Sequence, residues 1–188
     1  MALQTTAGAL HGMKLVILDR DGVINYDSPH FIKSPDEWKP IPGSLEAIAR
    51  FTQAGYRVAV ATNQSGIGRG LFDMATLNAI HDKMHKLVNQ AGGRIEAIFY
   101  CPASADSNSP YRKPNPGMLI EIGERLHTSL EGVPAIGDSL RDLQAAAAVK
   151  AQPILVLTGK GSKTQHESLP PGTRIYPDLA AVARELIS

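Results

Sequence analysis

The chain has 188 residues, 43% of them hydrophobic and 20% charged, which suits one soluble globular domain. Its formal net charge is +1, so neither a nucleic-acid partner nor an acidic interaction tail is indicated. The single cysteine, Cys101, excludes an intrachain disulfide, and no apolar stretch is long enough to span a bilayer.

The opening "MALQTTAGALHG" lacks the charged and apolar regions of a signal peptide, so residues 1–13 read as a flexible extension and the expected compartment is cytoplasmic. A first strand is expected over Lys14–Asp19, followed by a long loop from Gly22 to Pro42. A helix over Ser44–Ala54 carries Leu45, Ile48, Ala49 and Phe51 on one face and stops before Gly55. Arg57–Thr62 is the second strand. The helix Met74–Ala91 has Asp73 as its N-cap and Gly92-Gly93 as its stop. Ile95–Cys101 is the third strand, and a second long loop runs from Pro102 to Pro116. Then come a helix over Gly117–Leu126, a strand over Val133–Asp138, an alanine-rich helix over Leu140–Val149 and a strand over Pro153–Gly159. A short strand near Arg174–Tyr176 and a helix over Asp178–Leu186 close the chain. Continuous apolar runs suit strands buried on both faces of a parallel sheet. Alternating strands and helices predict a three-layer α/β fold, a doubly wound and mainly parallel sheet with right-handed crossovers. Residues 14–188 read as a single domain, since neither long gap holds a separate lid domain.

In such sheets the site lies off the carboxyl ends of the strands. Polar motifs cluster there. The first strand ends in "LDRDGVIN", with Asp19 and Asp21 pointing the same way, about 7 Å apart along the chain, and Arg20 pointing elsewhere. The second ends in Thr62, followed by "NQSGIGRG"; "YRKPNPG" with Arg112 and Lys113 follows the third; "GDSLRD" with Asp138 and Asp142 follows the fourth. Crowded carboxylates need neutralising, and Mg²⁺ is the natural counter-ion because it takes one or two carboxylates, waters and a substrate phosphate. Asp19, Asp21 and Asp138 are the expected metal ligands. Asp19 is the expected nucleophile, giving an aspartyl phosphate, and Asp21 the expected acid–base residue. Thr62 and neighbouring backbone N–H groups can donate to the phosphoryl oxygens, and Lys113 supplies positive charge.

"DRDGVIN", the Thr62 strand end, the lysine of "RKP" and "GDSLRD" together resemble the four motifs of the haloacid dehalogenase phosphohydrolase superfamily, whose Rossmann-like fold they imply. "TNQSGIGRG", "FYCP" and "RKPNPGM" further resemble the D-glycero-D-manno-heptose 1,7-bisphosphate phosphatases, which are implied to remove the 7-phosphate in lipopolysaccharide core heptose synthesis. The histidinol-phosphate phosphatases are close relatives and the alternative reading. The resemblance implies substrate contacts at Asp27, Ser28, Pro29 and His30, at Thr62, Asn63, Gln64 and Ser65, at Arg112 as the specificity arginine, and at Lys113 and Ser139. It implies a small phosphorylated sugar as partner, and no assembly motif argues against a monomer.

The family's structural zinc loop is not kept. Its four ligand positions hold Cys101, Ala103, Ser109 and Tyr111, and one ligand cannot make a tetrahedral site, so no structural zinc is expected. Arginine's planar fork suits phosphate, so Arg112 beside Lys113 favours a substrate with two phosphates. Other positions stay open. Asp142 either orients Lys113 or metal waters, or lies on a helix face. Arg69 is either functional or solvent-facing. Trp38 either walls the pocket or pins the first long loop. His81 and His85 of "HDKMH" read as a partly exposed helix face rather than a metal pair. A signalling receiver domain would need an acid on the third strand, which ends "FYCP". A dead binding module would not keep Asp19, Asp21, Lys113 and Asp138.

Overall fold

Six short strands build one sheet in which every neighbouring pair is parallel, in the order β3-β2-β1-β4-β5-β6. They are β1 (Leu15–Leu18), β2 (Arg57–Asn63), β3 (Ala97–Cys101), β4 (Pro134–Gly137), β5 (Gln152–Val156) and β6 (Arg174–Tyr176). The computed structural model describes residues 13–188, so the expected N-terminal extension lies, Met13 apart, outside the described residues. The helices are α1 (Ser44–Gln53), α2 (Ser65–Gly68), α3 (Met74–Gln90), α4 (Gly117–Arg125), α5 (Leu140–Ala148), α6 (Gly161–Thr164) and α7 (Leu179–Ile187).

The pleat of β1 explains the three layers. Val16 and Leu18 face one way, into a cluster with Ile48 and Phe51 of α1, Ile80 and Met84 of α3, and Val182 of α7. Leu15 and Ile17 face the other way, into Met118, Leu119 and Ile122 of α4 and Ala145 and Ala146 of α5. Both faces are therefore dry, which is why the strands read as unbroken apolar runs. Each large aliphatic side chain so buried contributes about 1.5–3 kcal/mol. The helix ends follow the sequence signals: Asp73 accepts from the Thr76 amide at 2.8 Å, and Asp178 accepts from the Ala181 amide at 2.8 Å.

Two four-residue helices, α2 and α6, were not foreseen, because a single turn carries no periodic pattern. β5 ends at Val156 rather than Gly159. The chain there turns across to the end of β1, where the Thr158 hydroxyl donates to the Gly22 carbonyl at 2.6 Å. Trp38 does not wall a pocket. It is wholly buried in the α1–α3–α7 core, and Lys83 Nζ ties its loop down by donating to the carbonyls of Pro35 (2.7 Å) and Trp38 (2.8 Å). The long insertions after β1 and β3 carry single 3-10 turns, Pro35–Glu37 and Ala105–Ser107, and the first also has isolated bridges from Asn25 to Asp21 and to Pro40. β1 pairs with β2 on one side and β4 on the other, so the order reverses there and a crevice opens above its carboxyl end.

Candidate active site

Asp19 is the first residue beyond β1, and its amide still bonds the Ile136 carbonyl at 2.9 Å, so its position is fixed by the sheet. Gly22 then turns with φ +83°, and a Cβ there would overlap the Asp138 carboxylate, so only glycine serves. Thr62, at the end of β2, is buried. Asn63 beside it clamps the Lys113 backbone twice, Nδ2 donating to the Lys113 carbonyl and Oδ1 accepting from its amide, each at 3.1 Å. This delivers the Lys113 ammonium, itself only 3% exposed, to Asp19 Oδ1 (3.1 Å), Asp142 Oδ1 (2.7 Å) and the Ala61 carbonyl (2.7 Å). Of the two readings of Asp142, the structure selects the one in which it orients Lys113. Asp138 leaves the end of β4, and its Oδ2 accepts from the Lys160 amide at 2.8 Å.

These groups floor a cavity of about 260 Å³. All the expected site residues line it except His30 and Ser139. His30 is exposed, and its amide bonds Ser28 Oγ at 3.1 Å. Ser139 caps α5: its Oγ donates to Asp142 Oδ2 at 2.8 Å while its amide donates to the same oxygen at 3.1 Å. Phe31, Arg69, Arg141 and Lys160 join the lining, which assigns Arg69 to the site. Lys160 pairs with Asp27 at 3.4 Å on the open rim, where such a pair contributes little stability. The strand-end rule could have reached Lys160, which follows β5; Arg141 carried no signal of its own.

Arg20 does not point elsewhere. Its long side chain is wholly buried and curls back, so that Nε donates to Asp21 Oδ1 at 2.8 Å. Asn25 Nδ2 donates to the same oxygen at 2.9 Å, and Gln64 Nε2 to Asp21 Oδ2 at 3.1 Å. His81 is not on a partly exposed face either. It is buried, with Nε2 3.2 Å from Arg20 Nη1, which leaves no free lone pair for a helical metal pair with His85.

The carboxyl groups are tuned apart. Burial and the nearby Asp142 raise Asp19 to about 6 against the pull of Lys113. Burial, then Asp19 and Asp142, raise Asp138 to about 8. Burial also works on Asp21, but the Arg20 charge and the bonds from Arg20, Asn25 and Gln64 outweigh it and hold that carboxyl below its ordinary value. Burial is likewise outweighed at Asp142 by Lys113, which holds it low. Asp19, Asp138 and Asp142 bring carboxylate oxygens within 4.8 Å of one another, the one such group among the described residues. Asp21, the other expected ligand, is outside that group, its carboxylate engaged by Arg20, Asn25 and Gln64, and Asp142 is paired with Lys113; the hard, mutually repelling oxygens of Asp19 and Asp138 fit Mg²⁺. Zinc does not fit the loop after β3: Cys101 is buried with Sγ 3.7 Å from Ser109 Oγ, and the set offers one soft ligand where four are needed.

Comparison with known proteins supports this chemistry. The family model described as HAD-hydrolase-like matches residues 110–182, and that of the polynucleotide kinase 3 phosphatases matches residues 14–138. The D-glycero-β-D-manno-heptose-1,7-bisphosphate 7-phosphatase of Bordetella bronchiseptica is 61% identical over 93% of this chain and 98% of its own. That of Pseudomonas aeruginosa is 56% identical over 92% and 97%. The crystal structure of the B. bronchiseptica enzyme complexed with magnesium and phosphate superposes with a TM-score of 0.92, covering 93% of this chain and 98% of that one. The Burkholderia thailandensis D,D-heptose 1,7-bisphosphate phosphatase, 54% identical, gives 0.74 over 93% and 99%.

Proposed function

Because the chain belongs to the heptose 1,7-bisphosphate 7-phosphatase family of haloacid dehalogenase-like phosphatases, we propose that it removes the 7-phosphate of D-glycero-D-manno-heptose 1,7-bisphosphate through an aspartyl phosphate on Asp19. The observation that carries this reading is a rim of three guanidiniums, of which Arg112 donates to the Ala103 carbonyl at 3.0 Å and Arg69 lies over the Phe31 ring. Burial, then the like charges of Arg141 and Arg69, hold Arg112 below its ordinary value, and Arg69, Arg112 and Arg141 all line the cavity. They have no carboxylate partner among the described ion pairs, and a second phosphate would satisfy them. Histidinol phosphate has one phosphate, which Lys113 already serves.

In this reading an Asp19 oxygen forms a bond to phosphorus as the ester P–O bond breaks. Asp21, a carboxylate at rest, takes up the proton of the bound monoanionic phosphate ester and gives it to the departing sugar oxygen. Water then adds to phosphorus, loses its proton to the Asp21 carboxylate, and the Asp19–phosphorus bond breaks to release orthophosphate. Lys113 faces Asp19 and holds positive charge where the equatorial oxygens gather it. Asp19 and Asp138 would hold Mg²⁺, which supplies charge neutralisation and Lewis acidity at the transferring phosphoryl group. Residues 14–188 act as one catalytic unit without a lid. Lipopolysaccharide precursor synthesis, a cytoplasmic location, a monomeric state and the lack of a structural zinc belong to the same reading. No helix among the described residues is long and apolar enough to cross a membrane.

The test is phosphate release from heptose 1,7-bisphosphate and histidinol phosphate side by side with Mg²⁺, for the native protein, Asp19→Asn, and the pair Arg112→Ala and Arg141→Ala. A charged hydrogen bond contributes about 1.5–3 kcal/mol, so each rim variant should raise KM for the bisphosphate about 10–100-fold. A preference for histidinol phosphate, or rim variants that leave the bisphosphate KM unchanged, would refute the assignment.

A further inference from the structure

The cavity accounts for Asp21 but not for what lies behind it. Arg20 has no solvent exposure, and its guanidinium is wedged between Asp21 and α3. On one side Nε donates a hydrogen bond to Asp21 Oδ1 at 2.8 Å, with Nη2 also 2.8 Å from that oxygen. On the other, Nη1 lies 3.2 Å from His81 Nε2. His81 is itself buried and does not line the cavity. A guanidinium has five donors and no acceptor. The contact therefore requires an unprotonated Nε2 on His81, with the ring proton on Nδ1. Burial first, then Arg20 and His85, hold His81 at about 3, which keeps the ring neutral at every working pH.

We propose that His81 is a positioning residue for Asp21, acting through Arg20. The inference rests on the acid–base role given to Asp21 above. Three donors reach the Asp21 carboxylate: Asn25 and Gln64 from the loops that border the cavity, and Arg20 from behind. Arg20 alone carries charge, and a flexible guanidinium fixes a carboxylate only if it is fixed itself. His81 supplies that anchor from a rigid helix, 61 residues away in sequence. Removing the acceptor frees one end of the fork in a dry pocket and lets the other end drift. A proton donor aimed at the leaving oxygen tolerates little drift.

The test separates this role from plain support of the fold. His81→Leu removes the acceptor, and His81→Gln restores one. Both are compared with Asp21→Asn on two substrates with Mg²⁺: a simple alkyl phosphate, whose leaving group needs a proton, and 2,4-dinitrophenyl phosphate, whose leaving group does not. The readout is kcat/KM, which covers the steps through departure of the alcohol. A positioned acid–base group contributes about 10²–10⁴-fold, so loss of its anchor should slow the alkyl ester about tenfold and the dinitrophenyl ester less than about threefold. His81→Gln should recover most of the loss, and adding His81→Leu to Asp21→Asn should cost nothing further. Factors that multiply with those of Asp21→Asn, a leaving-group profile unlike that of Asp21→Asn, or a glutamine variant as slow as leucine would overturn the proposal. Asp21→Asn slowing both esters equally would instead refute Asp21 as the acid. A matching profile and non-additivity would still leave His81 acting through it.

Discussion

Lys113→Met is the perturbation whose cost can be worked most directly from the structure. The ammonium is buried and is shared by Asp19 at 3.1 Å and Asp142 at 2.7 Å. Removing one partner of a buried ion pair typically costs about 3–5 kcal/mol, because the charges left behind cannot reach water. In a chain of this length about 2–4 °C of Tm is lost per kcal/mol, so Tm should fall by about 6–20 °C. The loss should depend on pH. With Lys113 gone, Asp19, already at about 6, rises further, and Asp142 loses the largest of the effects that hold it low, so it rises too, with the Ser139 bonds and Arg141 still opposing burial. A carboxyl whose folded pKa lies above its unfolded one stabilises the fold when protonated and costs stability as pH rises through that window. The Tm gap to the native protein should therefore be wider at pH 8 than at pH 5, measured in EDTA so that no metal replaces the missing cation. Adding Asp142→Asn should narrow the gap at pH 8 by removing one of the two orphaned charges. A gap that is equal at both pH values, or smaller than about 3 °C, would show that Lys113 is not the counter-charge on which the floor depends.

Two further outcomes follow from the same geometry. Asp19 is raised to about 6, Asp138 to about 8, and His81 is lowered to about 3 from 6.5, so between pH 6.5 and 8 the largest change is the proton that folded Asp138 loses; Asp19 has lost most of its own, and His81, which loses one only in the unfolded chain, gives a smaller gain of opposite sign. Metal-free protein should lose about 1–2 kcal/mol across that interval, a slope Asp138→Asn should flatten and saturating Mg²⁺ should remove; chemical denaturation at pH 6.5 and 8 reads it. Trp38→Ala empties a wholly buried position in the α1–α3–α7 core, so denaturant unfolding should show a loss of about 3–5 kcal/mol while KM at low temperature stays within a factor of two or so.

The sheet was legible because its strands are buried on both faces. Runs such as "LVIL" and "VAVA" then carry an unbroken apolar signal, and Asp73 and Gly92 punctuate α3. Asp19, Thr62, Lys113 and Asp138 were legible because they sit at strand ends or in loops that must return to the same rim. What stayed hidden depends on contacts distant in sequence. Nothing local says that Arg20 turns back to Asp21 or that His81 meets it across the core. Arg141 is one polar residue in the first turn of a helix, and only the fold turns it toward Arg112. Ser139 shows the opposite case: Ser-x-x-Asp is a capping signature, and the Ser139 amide does bond the Asp142 carboxylate.

Charge divides this site into two zones with different rules. The floor holds four carboxylates, Asp19, Asp21, Asp138 and Asp142, against two cations, Arg20 and Lys113. Ionising all four would leave two negative charges uncompensated, and the raised Asp19 and Asp138 are the sign of that deficit. One divalent cation with a taste for oxygen matches the deficit in charge and in chemistry. The rim holds Arg69, Arg112 and Arg141 in partial contact with solvent, so their repulsion is screened and the fold tolerates them without an internal partner. Charges of the first kind must be balanced before any substrate arrives, and charges of the second kind can wait for it. Substitutions on the floor should therefore change stability and kcat together, whereas substitutions on the rim should change KM and the choice of phosphate ester while leaving the fold intact.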